Sequence, residues 1–535
     1  INELELSLKL ISSVLSGQIQ LISFHSNIEK IILVRDVDGA WRLNGIPLNS
    51  NDNESESGVD IATLYQSLPD NISVNIGLLQ IQDKVRGVDH LIQNSSLLSR
   101  RKWDRLKIDF ISQLPSSLGN KVSILLLGDY EKQQAYIEAD QVNVVQWANL
   151  ILQKPVPVHS AKMNIKGWID LDKFSPTQVV TQTDFSQIKS QYKAETQQPL
   201  SFSLLQKAQY NQGDWRYDLR LSPLTLGSQK LPGFHSQLLL KKDAEPQVWV
   251  DALSVSTLTE IAANTLDDET AQLYLNKIQP TALLRNLVAS INVQQPIDSS
   301  VRFDFLQLKT NAYNFIPGVK GFSGNVITSS SRGKINLNSK NAAVDFGKLF
   351  RDPIQLSQLD TEILLDLTNG AGVVYADSFA LHNDDLKMQG RFWLEVPQEG
   401  APFMALRADY KEGNAQSTHK YLPVSIMKES LVKWLDDSIQ DGYVEKGDLI
   451  YHGRLEPLPN LQNNQSGEFE ALFDLSNPKV KFLADWPEVT EGQLTASFHN
   501  MGMDIEASGS KFSTTRFNKV NVSIPDFLNS TLFIN

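Results

Sequence analysis

The sequence predicts a mainly β fold: an elongated, twisted antiparallel β-sheet curled into a trough with an internal hydrophobic groove, plus a few short capping helices. Three observations lead to this prediction. Apolar and polar residues alternate with a period of two along the whole chain, which is typical of strands with one apolar and one polar face. Turn residues separate the alternating stretches at intervals of roughly ten residues. Helical periodicity is confined to a few places.

The alternating stretches supply the candidate wall of the groove. A slip of one residue exchanges the two faces of a strand, so the predicted wall depends on register. The predicted groove lining consists of Leu4, Leu6, Leu8, Ile72, Val74, Ile76, Trp215, Tyr217, Leu219, Phe303, Phe305, Ile363, Leu365, Phe469 and Phe473.

Turn residues mark where the strands reverse direction. The predicted turns include Asp38-Gly39, Gly119-Asn120, Asn211-Gln212-Gly213 and Asn369-Gly370. The glycines at 318, 321 and 324 lack the spacing of a phosphate-binding loop and are also interpreted as turns.

The number of strands explains why a trough is expected. A meander of about 30 strands cannot stay flat, because sheets of more than about ten strands curl, split or close. Curling the apolar faces inward gives either a sandwich filled by side chains or a trough that stays partly open. For any single strand the filled core is the ordinary interpretation, and the groove hypothesis depends on the number and continuity of the apolar faces.

Four stretches have helical periodicity. They are Ile61–Leu68, Gln146–Leu152, Leu258–Leu287 with an interruption at Pro280, and Ile426–Ile439. In the last stretch Ile426, Leu431, Trp434 and Leu435 form one apolar face, which we expect to pack onto the sheet as a cap rather than to act as a gate.

Composition excludes several classes of partner and site. The chain has 49 Lys+Arg against 61 Asp+Glu, a formal net charge of −12, and no basic stripe of the kind that binds nucleic acid. The densest basic cluster, Arg100-Arg101-Lys102 with Arg105, is interpreted as a solvated strand entry, with a contact to anionic headgroups as the alternative. Because the chain has 0 Cys, disulfides and thiolate metal sites are excluded.

No pattern indicates catalysis. The 8 histidines are dispersed, so local metal-ligand spacing is absent, although a site assembled across strands is left open. The acidic neighbours Asp267-Asp268-Glu269, Asp384-Asp385 and Asp436-Asp437 are interpreted as helix caps or solvated faces. Nucleophile-elbow, P-loop, dinucleotide and zinc-protease motifs are missing from the sequence. We therefore predict no catalytic residue, no metal, no cofactor and no enzymatic activity.

Two other classes of function stay open. One is a scaffold or interaction module with a filled β core. The other is a polysaccharide-active enzyme, which the wide spacing of Trp41, Trp103, Trp168 and Trp393 disfavours. No apolar run approaches the ~18 residues that span a bilayer. The chain starts at Ile1 inside an alternating strand, so we expect it to be a piece of a longer protein.

Several motifs occur in a fixed order. They are Leu15-Ser16-Gly17-Gln18-Ile19-Gln20-Leu21, Val34-Arg35-Asp36-Val37-Asp38-Gly39-Ala40-Trp41-Arg42-Leu43, Ile278-Gln279-Pro280, Arg285-Asn286-Leu287, Ile316-Pro317-Gly318-Val319-Lys320-Gly321-Phe322-Ser323-Gly324, Leu349-Phe350-Arg351-Asp352-Pro353-Ile354, Tyr421-Leu422-Pro423, Lys433-Trp434-Leu435, Ile439-Gln440-Asp441-Gly442 and Asp485-Trp486-Pro487. In this order they resemble the YhdP branch of the AsmA-like family of bridge-like lipid transfer proteins, over essentially the whole chain. One departure is Thr281-Ala282, where the family has a glycine soon after the proline.

The resemblance implies the anchor-proximal periplasmic segment of a Gram-negative envelope protein. Its implied function is to shield phospholipid acyl chains in a hydrophobic groove during transport between the inner and outer membranes. The implied partners are phospholipids, the inner membrane through an N-terminal anchor, and the outer membrane through a distal part. Nucleic acid is not among them.

The resemblance also frames the predicted domains. Residues 1–50 would form an AsmA-like β start and residues 51–250 a β-groove segment with short helices. Residues 251–290 would form a helical insertion, and residues 291–535 a second β-groove segment that contains the helix near 426–439.

Overall fold

The computed structural model describes most of the chain. The described residues are 3–10, 13, 21–37, 40–47, 68–85, 87–152, 156–191, 197–266, 268–295, 298–314, 316–368, 372–425, 427–455, 467–482, 485–526 and 533–534. They form two compact units, the first of Ile1–Pro246 with Asn264–Asp267 and the second of Gln247–Ala263 with Asp268–Asn535.

The first unit consists mainly of long strands. Its strands are β1 (Glu3–Leu8), β2 (Leu21–Arg35), β3 (Trp41–Leu43), β4 (Ile46–Pro47), β5 (Asn71–Asp83), β6 (Val88–Lys102), β7 (Arg105–Gln113), β8 (Lys121–Gly128), β9 (Lys132–Asn143), β10 (Val158–Asp172), β11 (Ser175–Ser190), β12 (Leu200–Asn211), β13 (Asp214–Leu221), β14 (Leu224–Leu226), β15 (Gln229–Leu231) and β16 (His235–Leu240). Helix α1 (Val144–Leu152) follows β9. The Trp147 indole N–H donates to the Leu118 carbonyl at 3.1 Å, which fixes this helix at one end of the strands.

The second unit is also mainly β. Its strands are β17 (Gln247–Ser254), β18 (Thr281–Ser290), β19 (Ser300–Thr310), β20 (Gly318–Ser329), β21 (Arg332–Asp345), β22 (Ile354–Asp366), β23 (Gly372–His382), β24 (Lys387–Val396), β25 (Phe403–Asn414), β26 (Ile439–Arg454), β27 (Gly467–Val480), β28 (Val489–Thr490), β29 (Gln493–His499), β30 (Gly502–Ser508), β31 (Lys511–Phe512), β32 (Thr515–Arg516), β33 (Lys519–Ile524) and β34 (Phe533–Ile534). The helical elements are α2 (Val255–Thr265), α3 (Glu269–Ile278), a 3₁₀ helix (Ala415–Lys420) and α4 (Glu429–Ser438).

Neighbouring strands pair antiparallel in almost every case. In the first unit β5 to β13 pair in chain order and β13 then pairs with β16. The exception is β2 with β5, which pair in parallel from Ser23↔Asn71 to Arg35↔Asp83. In the second unit β17 to β27 pair in chain order, followed by β29, β30 and β33. Among the described residues no pairing closes either unit, so the predicted open, curled, mainly β fold is confirmed.

β-Bulges interrupt many of the long strands. A bulge adds one residue to one strand, bends it and increases its twist. The strand residues with a positive φ include Asn94, Gln141, Gln187, Asn286, Gln307, Gly321, Asn341, Glu412 and Asn477, and register shifts accompany several of them. The bulges therefore bend the strands and contribute to the curl of the sheet. Because the extra residue of each bulge is left out of the pairing, the side chains on either side of it keep their alternation between the two faces.

Serine hydroxyl groups accept the hydrogen bonds that backbone N–H groups at the bulges no longer make within the β ladder. At the bulge in β19 the backbone N–H of Gln307 donates to Ser323 Oγ at 3.1 Å. On the next strand the N–H of Ser323 donates to Ser339 Oγ at 3.0 Å, and Ser339 is 1% exposed. Since unpaired buried N–H groups are costly, these serines stabilise the bulged geometry.

The glycine cluster at 318–324 is not a set of turns, which corrects the expectation from the sequence. All three glycines lie inside β20. Gly321 occupies the left-handed region with φ +76° at a bulge, and a Cβ on Gly324 would lie 2.1 Å from the Asn336 carbonyl oxygen. Glycine is present because two backbones approach closely within the sheet.

Two of the predicted helices need shorter bounds. The stretch 258–287 forms α2 and α3 and then a strand, because Asp268 starts a new helix by accepting from the Ala271 N–H at 3.0 Å and Gln279 ends it in the left-handed region before Pro280. The leucines at 283, 284 and 287 therefore lie on β18. The predicted helix 426–439 is Glu429–Ser438, and Ile426 lies outside the described residues.

The other predicted helices and turns have mixed outcomes. Helix 146–152 is confirmed within α1. The two-residue turn at Gln212-Gly213 is confirmed by positive φ values of 50° and 98°, and Gly119-Asn120 lies in the connection that precedes β8. Residues 61–67, 38–39 and 369–370 lie outside the described residues, and the predicted domain bounds stay a prediction.

One face of each sheet carries rows of polar side chains that hydrogen-bond from strand to strand. In the first unit Gln134 and Gln178 both donate to Asp170, at 3.1 and 3.0 Å, and Gln209 donates to Gln178 at 2.9 Å. In the second unit Asn336 donates to Asn325 at 2.9 Å. We call this side of each unit the polar face and the opposite side the apolar face.

The polar face also holds two carboxylates in directly facing positions. Asp409 and Asp448 are register partners on β25 and β26. The hydrogen bond between them, burial and the negative charge of Asp409 together raise the pKa of Asp448 above its usual value. Like charges in facing positions destabilise a sheet.

Replacement of Gly324 by alanine should destabilise the second unit. The added Cβ would lie against backbone atoms that cannot move aside, and we expect the free energy of unfolding to fall by about 2 kcal/mol. Gly372→Ala is the matched control, since its Cβ would have no neighbour closer than 3.4 Å. Urea unfolding followed by circular dichroism measures both variants. Equal midpoints for the two would contradict the close-approach explanation.

Asp448→Asn should stabilise the protein at neutral pH. A carboxyl group whose pKa is higher in the folded state penalises folding above that pKa, and the penalty disappears as the pH falls to the ordinary value of 3.8. We expect a gain of about 0.5 kcal/mol at pH 7, limited by solvent screening, and none below pH 3.8. Urea midpoints at the two pH values test this, and a loss of stability at pH 7 would show that the pair is favourable.

Candidate functional site

The apolar face of the first unit follows from the register of its strands. Side chains in directly facing positions point to the same side of a sheet, so each row of register partners lies on one face. One row contains Leu6, Phe24, Ile72, Ser99, Ile108, Leu126, Ala135, Ile169, Val179, Ala208, Tyr217 and Leu238. The neighbouring row contains Leu4, Ser26, Val74, Leu97, Phe110, Ile124, Ile137, Gly167, Thr181, Gln206, Leu219 and Ser236. Almost every large side chain in these rows is apolar.

The second unit has an equivalent apolar face. One row contains Leu253, Leu284, Phe305, Gly324, Leu337, Thr361, Phe379, Gly390, Ala408, Leu449, Ala471, Phe498, Met503 and Ile524. A second row runs through Phe303, Val326, Ile335 and Ile363. Thr361 is the one residue of the first row with a polar side chain.

In the rows of the first unit, small side chains are buried but large apolar side chains are not fully buried. The fully buried members are small, such as Ser99 at 2% and Ala208 at 2% exposed. The large members in the middle of long strands, among them Ile108, Leu126 and Ile169, are only half-buried. A face packed against a second layer would bury its large side chains most completely. This pattern is typical of an apolar surface that is partly accessible from outside the protein.

Aromatic rings on the second unit's apolar face lie across glycines of the next strand. A Cβ on Gly390 would lie 2.7 Å from Phe379 Cζ, and one on Gly447 would lie 2.1 Å from Tyr410 Cε2. These glycines are the direct register partners of the two aromatic residues. The two rings occupy the space that a Cβ would take, which explains why glycine is found opposite each of them.

Part of the second unit's apolar face is closed by a packed core. One buried cluster surrounds Phe305, Phe322 and Leu359, and a larger one includes Leu475, Met503 and residues of β33. The large cluster contains Tyr410, whose hydroxyl donates to the Leu472 carbonyl at 2.7 Å. Burial, with the nearby charge of Asp448, raises the pKa of Tyr410 far above its usual value.

Helix α4 covers this core, as the sequence predicts. Leu435 is 5% exposed, and Trp434 packs against the cluster while its indole N–H donates to the Phe482 carbonyl at 2.9 Å. The guanidinium of Arg351 contacts both carboxylate oxygens of Asp436 and donates to the His419 carbonyl at 3.1 Å. A polar cavity of about 280 Å³ lies beside this ion pair. The cap is therefore fixed by both apolar and charged contacts.

A hydrogen-bond network around Asp385 secures the 3₁₀ helix beside the cap. The carboxylate accepts from Ser417 at 2.7 Å, from Lys420 at 2.9 Å and from Tyr421 at 3.0 Å. Burial alone would raise the pKa of Asp385, but these donors outweigh it and lower the pKa. Asp385, the second residue of the acidic pair Asp384-Asp385, thus has a structural role.

The structure places all the predicted wall residues on the apolar face of their own unit. Residues 4, 6, 72, 74, 217 and 219 lie in the two rows of the first unit, and 8, 76 and 215 continue their alternation. In the second unit the predicted wall residues also lie on the apolar face; they are residues 303, 305, 363, 365, 469 and 473. Their environments differ, since Leu4, Leu6 and Leu8 on the edge strand are 49%, 52% and 44% exposed and Phe305 is 5% exposed. Their contact with lipid stays a prediction.

The sequence analysis missed many residues of the same rows. Ile124 and Leu126 lie in β8, whose continuous run of apolar residues hides the alternation. Small members such as Ser26 and Gly167 give no hydrophobic signal. Only the pairing with neighbouring strands identifies these residues as members of the rows.

Potential metal ligands come together once within the described ranges. Glu468, Glu470 and His499 lie on neighbouring strands, with His499 Nε2 at 3.6 and 3.9 Å from the two carboxylates. All three are exposed, and such groups are common without an ion. No helix within the described ranges is both long and apolar enough to cross a bilayer.

Comparisons with known proteins agree with the motifs found in the sequence. The sequence model of a family described as YhdP protein matches residues 1–535. Among curated proteins, the chain is similar to the intermembrane phospholipid transporter YhdP of Escherichia coli (strain K12), with 23% identity over 424 residues. The alignment covers 75% of this chain and 32% of that protein, so the chain spans about a third of the relative's length. No solved structure matches.

The resemblance inferred from the ordered motifs is therefore confirmed. Because the family match extends over every residue of the chain, this protein belongs to the YhdP family.

Proposed function

We propose that the apolar faces hold the acyl chains of phospholipids and that the chain is a segment of a lipid-transfer bridge between the inner and outer membranes. The observation that carries the proposal is the row of half-buried apolar residues that runs from strand to strand in the first unit. The relative described as an intermembrane phospholipid transporter supports it.

The energetics suit holding and passing lipids. Each methylene removed from water contributes about 0.8 kcal/mol, so an acyl chain along several strands is strongly favoured over the same chain in water. Successive strands lie about 4.8 Å apart and present similar apolar residues. A lipid that moves by one strand exchanges one apolar neighbour for another, so movement costs little. Headgroups would stay in water at the open side.

This function requires no catalytic group. The protein is proposed to be non-enzymatic, to act in the periplasm and to use phospholipids as cargo. Contacts with the inner membrane through an N-terminal anchor and with the outer membrane through a distal part belong to the same proposal. The polar face, with its hydrogen-bonded rows, would face water.

A scaffold with a filled core is the second candidate, and one observation favours it. The cluster around Phe305 and Phe322 is fully packed in the second unit. If all apolar faces were filled in this way, lipid would have no place. The half-buried rows of the first unit are therefore the place where the two candidate functions differ.

A photo-cross-linker on the apolar face should capture phospholipid. We expect benzoylphenylalanine in place of Ile108 to give lipid adducts after irradiation in cells, since this position lies in the middle of a half-buried row. The control places it at Asp109, the next residue of β7, which points to the polar face. Mass spectrometry of the purified protein detects the adducts. Equal labelling of the two positions would refute the assignment of faces.

A charge on the apolar face should weaken lipid binding. Val74→Asp puts a carboxylate in a row of apolar neighbours, and we expect at least a tenfold loss of affinity for the fluorescent fatty acid cis-parinaric acid, because burying an unpaired charge is costly. Asn75→Asp adds the same charge on the exposed polar face and should leave the affinity unchanged. Unchanged affinity in Val74→Asp, with the fold intact by circular dichroism, would favour the scaffold.

A further inference from the structure

The end of the β6–β7 hairpin has an exposed tryptophan at its tip. Lys102 and Arg105 pair as the last residues of the two strands, with Trp103 and Asp104 as the turn between them. Trp103 is 88% exposed, the highest value among the large apolar side chains in the described part of the chain. Exposure of a whole indole ring to water is unfavourable, so the position calls for an explanation.

Turn formation does not provide that explanation. Trp103 has φ 59°, in the left-handed region, where asparagine, aspartate and glycine are favoured and a bulky residue is unusual. Asparagine would suit the turn better and would not expose an apolar ring. The tryptophan is therefore present in spite of the local backbone preference.

Four basic residues form a block beside the tip. Arg100 faces Lys107 and Lys102 faces Arg105 across the two strands, and alternation puts all four on the polar face. Like charges in facing positions destabilise a hairpin. Lys107 contacts Asp109 at 3.0 Å, whereas Arg100, Lys102 and Arg105 have no ion pair within the described residues. A chain of net charge −12 thus concentrates positive charge around one exposed indole.

We infer that the hairpin end formed by residues 100–107 binds the surface of a bilayer that contains anionic phospholipid. The Trp103 ring would enter the interfacial region, which indole prefers, and the four basic side chains would contact lipid phosphates. Each basic residue near an anionic surface strengthens binding about fivefold. Binding at a membrane surface strengthens with the apolar area inserted and with the electrostatic attraction to anionic lipid, so the two contributions would add.

The shape of the tip favours a bilayer over an acidic protein. The tryptophan lies at the apex of a two-residue turn, so a protein partner would need a matching pocket, whereas a lipid interface accepts a protruding ring directly. The inference is independent of the proposed acyl-chain path, because residues 100, 102, 105 and 107 lie on the opposite face from the apolar rows.

Vesicle flotation of the 535-residue chain tests the inference. We expect binding to vesicles of phosphatidylcholine that contain roughly 30 mol% phosphatidylglycerol, whose surface is anionic, and weak binding to vesicles of pure phosphatidylcholine. Trp103→Asn should reduce binding about tenfold, as expected for loss of one buried aromatic group, without loss of thermal stability. Val37→Asn is the matched control, because Val37 is 82% exposed in another turn of the same unit, and it should bind normally.

Removal of the basic side chains beside Trp103 tests the electrostatic part of the inference. The triple variant Arg100→Gln, Lys102→Gln and Arg105→Gln should reduce binding by more than fiftyfold. The control triple Lys230→Gln, Lys241→Gln and Lys242→Gln removes the same charge from exposed positions elsewhere in the unit and should have little effect. Normal binding by Trp103→Asn would overturn the inference, because only a polyanion site would then remain. Normal binding by the first triple variant would overturn it as well.

Discussion

Strand register is the constraint on which the rest of this structure depends. A side chain in a sheet can point only to one of two sides, and its register partner points to the same side. Across the described strands of each unit, register brings apolar residues to one face and hydrogen-bonded polar rows to the other. A single uncorrected slip would mix the two faces in every later strand. Register therefore creates the apolar surface, and the surface does not depend on any single residue.

The bulges reconcile this constraint with curvature. Each one bends its strand and would exchange the two sides, but the extra residue is accommodated so that the apolar alternation resumes on the same face. Phe305 and Leu308 show this on either side of the bulge at Gln307, since both pack toward the same buried cluster. Serines at 323 and 339 then satisfy the backbone groups that the bulges expose. The bulges therefore account both for the curl of the sheet and for the continuity of its apolar face.

The fold was largely predictable because period-two alternation is a direct consequence of strand geometry. The predicted wall residues share one face of their sheet for the same reason, since Ile72 and Val74 or Phe303 and Phe305 differ by two positions. The bulges were not predictable, because residues such as Gln307 and Glu412 carry no glycine signal for a positive φ. The glycines of β20 were misinterpreted because close approach of two backbones is a tertiary property. Strand β18 was read as helix because its leucines also fit a helical period.

Native mass spectrometry of the chain expressed in a bacterial periplasm, followed by extraction of bound lipids, tests the central claim most directly. If the apolar faces hold acyl chains, at least one phospholipid should co-purify with each protein molecule. A stable, monodisperse protein without lipid would contradict the account and would indicate a filled scaffold.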